Sequence, residues 1–337
     1  MLFRLGGLGD LLVALPSINL LRKSFPGLVL HLVGRKEYGE FLRQEGVVEI
    51  AHSIDEAKWA SLFEDSIAVP PEMRRWISGF DFILGWFQPK TEMRRFSRIL
   101  DDLSPEARLI IYDFASRRPI SRYFFERTAE AIKPNGRPAP AFEECVRLPS
   151  SEISSAAAGA PGFTRGSTSA VLARGYKLRA SDEPKARPLT PKFAVVHPGS
   201  GSPKKCWPLD RFLEVVSFLQ RRGFSGTLAT GEAEERWEGE LRKVALPAGW
   251  TWLRRPALPA LARLLREATL YLGNDSGVTH LAAACGTNVI AIFRKEFETA
   301  WRPFGRTTVL SAENVEQVSL EDVVAAIGRV LSRPSAG

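Results

Sequence analysis

Cysteine, methionine, histidine and tyrosine are all scarce in this chain of 337 residues, at three, three, four and five copies. The cysteines, Cys145, Cys206 and Cys285, are odd in number and far apart, which argues against a disulfide framework or a zinc site. No stretch approaches the ~18 apolar residues that a membrane-spanning helix needs, and DFILGWF at 81–87 falls far short. The opening MLFRLGGLGD reads as strand then glycine, not as a basic region followed by an apolar signal core. A G-x-G-x-x-G fingerprint is also missing. The early glycines fall at 6, 7 and 9, and the segment LVLHLVGRK closes on Arg35 and Lys36 instead of an acidic residue, so a nicotinamide cofactor is not expected. These absences point to a soluble protein of a reducing compartment, and a cytoplasmic location is expected.

What is present is ordinary globular material, 45% apolar and 25% charged, with a net charge of +8. The basic excess is concentrated at Arg74, Arg75, Lys90, Arg94, Arg95, Arg98, Arg108, Arg117, Arg118, Arg122 and Arg127. Such clustering suits a polyanion (nucleic acid, an anionic membrane surface or an acidic glycolipid), but solvated helix faces would give the same pattern.

Residues 1–40 read as a βαβ unit: strand MLFRL, turn GGLGD, an apolar-periodic helix closed by Pro26-Gly27, then strand LVLHLVG. Pro16 lies within that helix and should kink it or mark a late start. Strands are expected at 80–87 and 108–114 and a helix at 120–132. Residues 151–191 are rich in Ser, Ala and Pro and lack an apolar period, which suits a linker, with a short ordered piece around SAVLARGY. Alternation restarts with KFAVVH, the helix LDRFLEVVSFLQRRGF, the strand SGTLAT and a helix over GEAEERWEGELRKVAL. It continues through LARLLREATLYLGNDSGVTHLAAACGTNVIAIF to a last helix, SLEDVVAAIGRVLSR. The expected fold is α/β, with two doubly wound Rossmann-like domains at 1–150 and 192–337 facing a cleft.

Three segments could carry chemistry. In Gly6-Gly7-Leu8-Gly9-Asp10 the glycines allow close backbone approach, and Asp10 is either a helix-capping carboxylate or a base at the cleft mouth. In HPGSGSPKKCWP the hydroxyls of Ser200 and Ser202, free amides and an ammonium of the Lys204-Lys205 pair suit a diphosphate, while a solvated loop with an incidental basic pair would read the same. In LGNDSGVTHLAAACG a strand ends and a helix begins, so that Asp275, Ser276 and His280 can converge on one ligand, with Gly286 as the helix stop.

Together these pieces resemble glycosyltransferase family 9, whose known members are the bacterial lipopolysaccharide heptosyltransferases. The resemblance rests on RLGGLGDLLVALPSINLLRKSFP, HPGSGSPKKCWPLDRF, YLGNDSGVTHLAAACGTNVIAIF and Trp301-Arg302-Pro303. It covers the start of the first domain and most of the second, and residues 40–190 carry little of it. The resemblance implies a GT-B fold with acceptor on the first domain and donor on the second. It also implies an inverting, metal-independent transfer, in keeping with the lack of a D-x-D motif. By position, Asp10 matches the catalytic aspartate and Gly6, Gly7 and Gly9 its acceptor loop. Lys205 matches the phosphate-binding lysine, and Asp275, Ser276, Gly277 and His280 match the donor loop. The acidic residue expected near the ribose is Glu232 or Glu235. No cofactor or metal is expected, only a nucleotide-sugar donor and an anionic glycolipid or glycan acceptor. The chain is expected to act as a monomer, with peripheral contact at the inner face of the membrane. Rival readings are a nucleotide-sugar epimerase of the same architecture, a non-catalytic nucleotide-sugar-binding protein and a nucleic-acid binder, the last resting on the arginines alone.

Overall fold

A computed structural model describes residues 1–64, 66–88, 93–103, 107–132, 138–149 and 192–332. The first unit opens with strand β1 (Leu2–Phe3), helix α1 (Leu8–Leu12) and helix α2 (Leu15–Ser24). Pro16 lies in the first turn of α2, where its missing N–H costs nothing, so the expected single helix is two. Next come β2 (His31–Gly34), α3 (Lys36–Gln44), β3 (Ile50–Ser53), α4 (Ala60–Phe63), α5 (Pro71–Ser78) and β4 (Ile83–Phe87). The unit continues with α6 (Met93–Leu103), β5 (Ala107–Ile111) and α7 (Ile120–Ile132). Its five strands run parallel in the order β3-β2-β1-β4-β5.

The second unit contains β6 (Phe193–His197), α8 (Leu209–Arg221), β7 (Ser225–Thr230), α9 (Glu238–Leu241), β8 (Trp250–Arg254), α10 (Leu258–Glu267), β9 (Leu270–Asn274), α11 (Gly277–Ala284) and β10 (Val289–Arg294). It closes with α12 (Lys295–Trp301), β11 (Thr307–Ala312) and α13 (Leu320–Leu331). Six parallel strands are ordered β11-β10-β9-β6-β7-β8. Both sheets are doubly wound α/β, as expected. The linker proposed at 151–191 lies outside the described residues.

The expected helix over GEAEERWEGELRKVAL is instead a 3-10 turn at Glu232–Trp237 followed by the one-turn α9. The physical reason is Glu234. Its side chain turns inward to accept the Gly231 N–H at 2.6 Å, and only Glu234 and Leu241 of this stretch are buried, so no apolar stripe holds a longer helix to the sheet. The basic cluster is also less free than its sequence suggests. Arg74 pairs with Asp102, Arg118 with Glu126, Arg122 with Glu143 and Arg127 with Glu130, while Arg95 binds the carbonyls of Ser61 and Ile67. Lys90 and the Arg94 side chain lie outside the described residues.

One apolar core runs through both units. Leu8, Leu11 and Leu12 of α1 join Leu261, Ala262, Leu281 and Ala282 of the second unit. The end of the first unit adds polar stitches: Asn19 donates to the carbonyls of Cys145 and Arg147, both at 2.8 Å, and Leu148 N–H reaches Ala284 O at 2.9 Å. All three cysteines are unpaired, and among the described residues no helix is long and apolar enough to cross a membrane.

Helices α1 and α11 approach closely where each carries a glycine, Gly9 and Gly277. A Cβ on Gly277 would lie 2.9 Å from Leu8 Cβ and 3.1 Å from Gly9 N. One contact is backbone, so relief requires moving α1 away from α11. Gly277→Ala is therefore expected to destabilise by about 1–3 kcal/mol, the usual cost of overpacking. Thermal melting checks this, and an unchanged Tm would mean that the α1–α11 contact is slack.

Candidate active site

In doubly wound sheets the strands' carboxyl ends open a crevice where the strand order reverses. Here β1 lies between β2 and β4, and β6 between β9 and β7. The turns leaving β1, β6 and β9 face one another across a cleft of about 750 Å³. That is ample for a nucleotide-sized ligand.

Asp10 comes from α1. Its Oδ2 accepts the Gly7 N–H at 2.9 Å, and its Oδ1 accepts from Arg4 Nη2 at 3.2 Å and Gln88 Nε2 at 3.1 Å. It therefore satisfies an amide at the helix start and also lines the cleft. Gly6 takes φ +117°, and a Cβ there would meet Asp10 Oδ2 at 2.7 Å. Glycine is required at that position because the carboxylate lies directly against it.

The opposite wall is built from two loops locked together. Asn274 accepts the Trp207 N–H at 3.0 Å and donates to Pro198 O at 2.7 Å. Ser200 Oγ donates to Asp275 O at 2.7 Å, and Trp207 Nε1 anchors on Val318 O at 2.8 Å. This frame places Lys205 Nζ 2.7 Å from the buried Asp275 carboxylate and over the Phe297 ring at 4.6 Å. Ser276 caps α11 by accepting the Thr279 N–H at 3.3 Å, which leaves its earlier amides facing the cleft. One turn on, His280 is 2% exposed, and neither ring nitrogen has a hydrogen-bond partner among the described residues. Buried imidazoles are rarely left so, and a cleft-lining one with both nitrogens unmet is set up to meet a ligand.

Most residues singled out from the sequence converge here: Gly7, Gly9, Asp10, Ser200, Lys205, Glu232, Asp275, Ser276, Gly277 and His280 all line the cleft. Two do not. Gly6 lies behind Asp10, for the steric reason above. Glu235 turns outward to pair with Arg255, which leaves Glu232 as the cleft-lining member of that pair. Between them is a carboxylate that sequence reasoning passed over. Glu234 is 2% exposed and lines the cleft, and its Oε1 has no hydrogen-bond partner among the described residues. Its position three residues after Gly231, at the start of a turn, was the available signal. Tyr38 and Gln88 were also missed, because no short motif marks them, and Arg4 was passed over although it opens the RLGGLGD segment.

Among the described residues, no group of three or more His, Cys, Asp or Glu side chains is placed to hold a metal ion. Two facing, parallel, doubly wound units with a cleft at their strand ends define the GT-B architecture of nucleotide-sugar enzymes. A family model described as glycosyltransferase family 9 (heptosyltransferase) matches residues 154–323, and the chain belongs to that family. Lipopolysaccharide heptosyltransferase 3 of Escherichia coli (strain K12) is 32% identical over 120 residues, which make up 33% of each chain. The match thus spans about a third of that curated relative. Among solved structures, the family 9 glycosyl transferase of Veillonella parvula DSM 2008 superposes with a TM-score of 0.68 at 16% identity, covering 98% of this chain and 96% of that one. E. coli heptosyltransferase WaaC with ADP superposes with a TM-score of 0.63 at 16% identity, covering 98% of each. These two superpositions show the shared fold.

Burial lowers the His280 pKa from 6.5, against the upward pull of Asp275 and Asp10, and Lys205 lowers it further. The unfolded imidazole therefore binds a proton more readily than the folded one, so stability is lost as pH falls through 6.5. His31 and His52, also lowered by burial, act with the same sign. Between pH 7 and pH 5 the Tm should fall, and it should fall less in His280→Gln. Equal slopes for the two proteins would show that His280 is not held neutral.

Proposed function

We propose that the protein transfers a heptose, with inversion, from ADP-heptose to a lipopolysaccharide-core or related glycan acceptor. The observation that supports this is the meeting of Asp10 with Lys205, Asp275, Ser276 and His280 in one cleft, with the carboxylate on one unit and the cation and helix start on the other.

The acceptor hydroxyl enters beside Asp10, on the side bounded by Glu37, Tyr38 and Gln88. Asp10 takes its proton as the oxygen attacks the anomeric carbon. The bond from that carbon to the diphosphate oxygen breaks on the opposite face, and ADP leaves with the electron pair. Lys205 and the amides at the start of α11 stabilise the charge that develops on the diphosphate. His280 offers a nitrogen to the same group or to the donor sugar. Glu232 takes the ribose hydroxyls, and the unmet Oε1 of Glu234 is a second acceptor within the same wall. In this scheme protein groups do the work of charge neutralisation, so turnover proceeds without a metal and is insensitive to chelators. The acceptor is an anionic glycolipid presented at the inner face of the membrane, which the monomeric protein approaches from the cytoplasm.

Calorimetric titration with ADP-, GDP- and UDP-sugars tests the donor, and ADP-heptose should bind tightest. Lys205→Gln keeps a donor for Asp275 but removes the cation, and should weaken ADP-heptose binding by about tenfold or more. Undiminished affinity would take Lys205 out of the diphosphate site. Asp10→Asn keeps the size of the side chain and loses the base, so kcat should fall by about 10²–10⁴ with donor affinity nearly unchanged. A normal kcat with a lowered Tm would make Asp10 a helix cap only. Release of free sugar or an epimer from the donor alone would favour the epimerase reading.

A further inference from the structure

We propose that Arg4 and Gln88 are positioning residues that turn the Asp10 carboxylate so that Oδ2 receives the acceptor's proton. The inference rests on Asp10 being the base.

Arg4 follows β1 and is only 4% exposed. Its guanidinium makes three hydrogen bonds: Nε to Asp10 O at 2.5 Å, Nη2 to Asp10 Oδ1 at 3.2 Å and Nη1 to Trp86 O at 2.8 Å. The same group lies 5.3 Å from the centre of the Phe124 ring. Burial draws its pKa down to about 10, opposed by Asp10, which leaves it a cation at neutral pH. Burying a guanidinium is expensive, and a fold needing only packing beneath the cleft is served as well by an apolar side chain. Two of the three bonds go to Asp10, backbone and side chain together. That fixes both where the residue starts and where its carboxylate points.

Gln88 completes the arrangement from the end of β4, with Nε2 3.1 Å from the same Oδ1. A carboxylate oxygen has about two acceptor directions. Both directions at Oδ1 are taken, by Arg4 and Gln88. Among the described residues Oδ2 accepts only the Gly7 N–H, at 2.9 Å, so it keeps one direction open. Donors from two segments, the β1–α1 turn (Arg4 and Gly7) and the end of β4 (Gln88), thus fix the plane of the carboxylate, which is 27% exposed at the cleft. A planar fork is the side chain suited to this task, because a lysine carries the charge without the paired geometry.

The test compares Arg4→Lys and Gln88→Met, each alone and each combined with Asp10→Asn, by kcat and by the Kd for ADP-heptose. Misplacing a reacting group by ~1 Å costs about a hundredfold, so each single variant should lose about tenfold or more in kcat with little change in Kd. Residues that act as a unit are not additive. In the Asp10→Asn background either substitution should therefore change kcat by less than about threefold. Equal losses in both backgrounds, or a loss confined to Kd, would overturn the proposal, as would full kcat in the single variants. If Arg4→Lys does not fold, Gln88→Met, a cleft-side change, decides the matter by the same comparison. A wild-type kcat for Asp10→Asn itself would reject the base and the positioning together. A loss in Asp10→Asn without one in the single variants would reject only the positioning.

Discussion

The structure depends on two helices meeting where each carries a glycine. Gly9 in α1 and Gly277 at the start of α11 bring backbone against backbone, and a Cβ on Gly9 would already lie 3.3 Å from His280 Cδ2. Because the helices touch, the next residue on one, Asp10, and the residues flanking the other, Ser276 and His280, open on the same space. The apolar contacts of Leu8 and Leu11 with the second unit hold that approach. The packing that joins the units therefore also sets the spacing of the site.

Much of this can be read from local patterns. The apolar period gives α7, α8 and α13, and the strand–turn–helix grammar at Gly6–Asp10 and Asn274–His280 marks the cleft in the sequence itself. What escaped had weak local signals. β8 and β11 are edge strands, and β11 is only half-buried throughout, so neither shows the apolar run of a central strand. The charged stretch at Glu232–Leu241 looked helical because Glu and Arg favour helices, yet one inward-turned carboxylate, Glu234, decides its shape. Arg4 reaches Asp10 across the β1–α1 turn, six residues away, whereas Gln88 meets it from 78 residues away, a relation that only the pairing of β1 with β4 creates. The arginine-rich region shows the converse. Its charge is plain in the sequence, whereas its pairing is not: Arg74 meets Asp102 and Arg122 meets Glu143 only on folding.

The second unit's wall is rigid for an identifiable reason. Asn274 ties the turn after β6 to the end of β9, and the indole of Trp207 holds the same turn to the chain leading into α13. Lys205 thus stands on a braced loop, and its reach is set by the frame more than by its own flexible stem. Such bracing lowers the conformational entropy lost on binding, which is how preorganised sites gain affinity without adding contacts.

The pairing of Lys205 with Asp275 has a consequence of its own. An ammonium 2.7 Å from a buried carboxylate is already matched in charge, so an incoming anion must compete for it. Its gain is the difference between two ion pairs, not the full strength of one. A weakly charged anion such as chloride or a simple carboxylate gains almost nothing by such a swap, whereas a group carrying two charges on adjacent phosphates can. In the proposed reaction the lysine and aspartate together would therefore act as a threshold on charge density, favouring a diphosphate over common small anions.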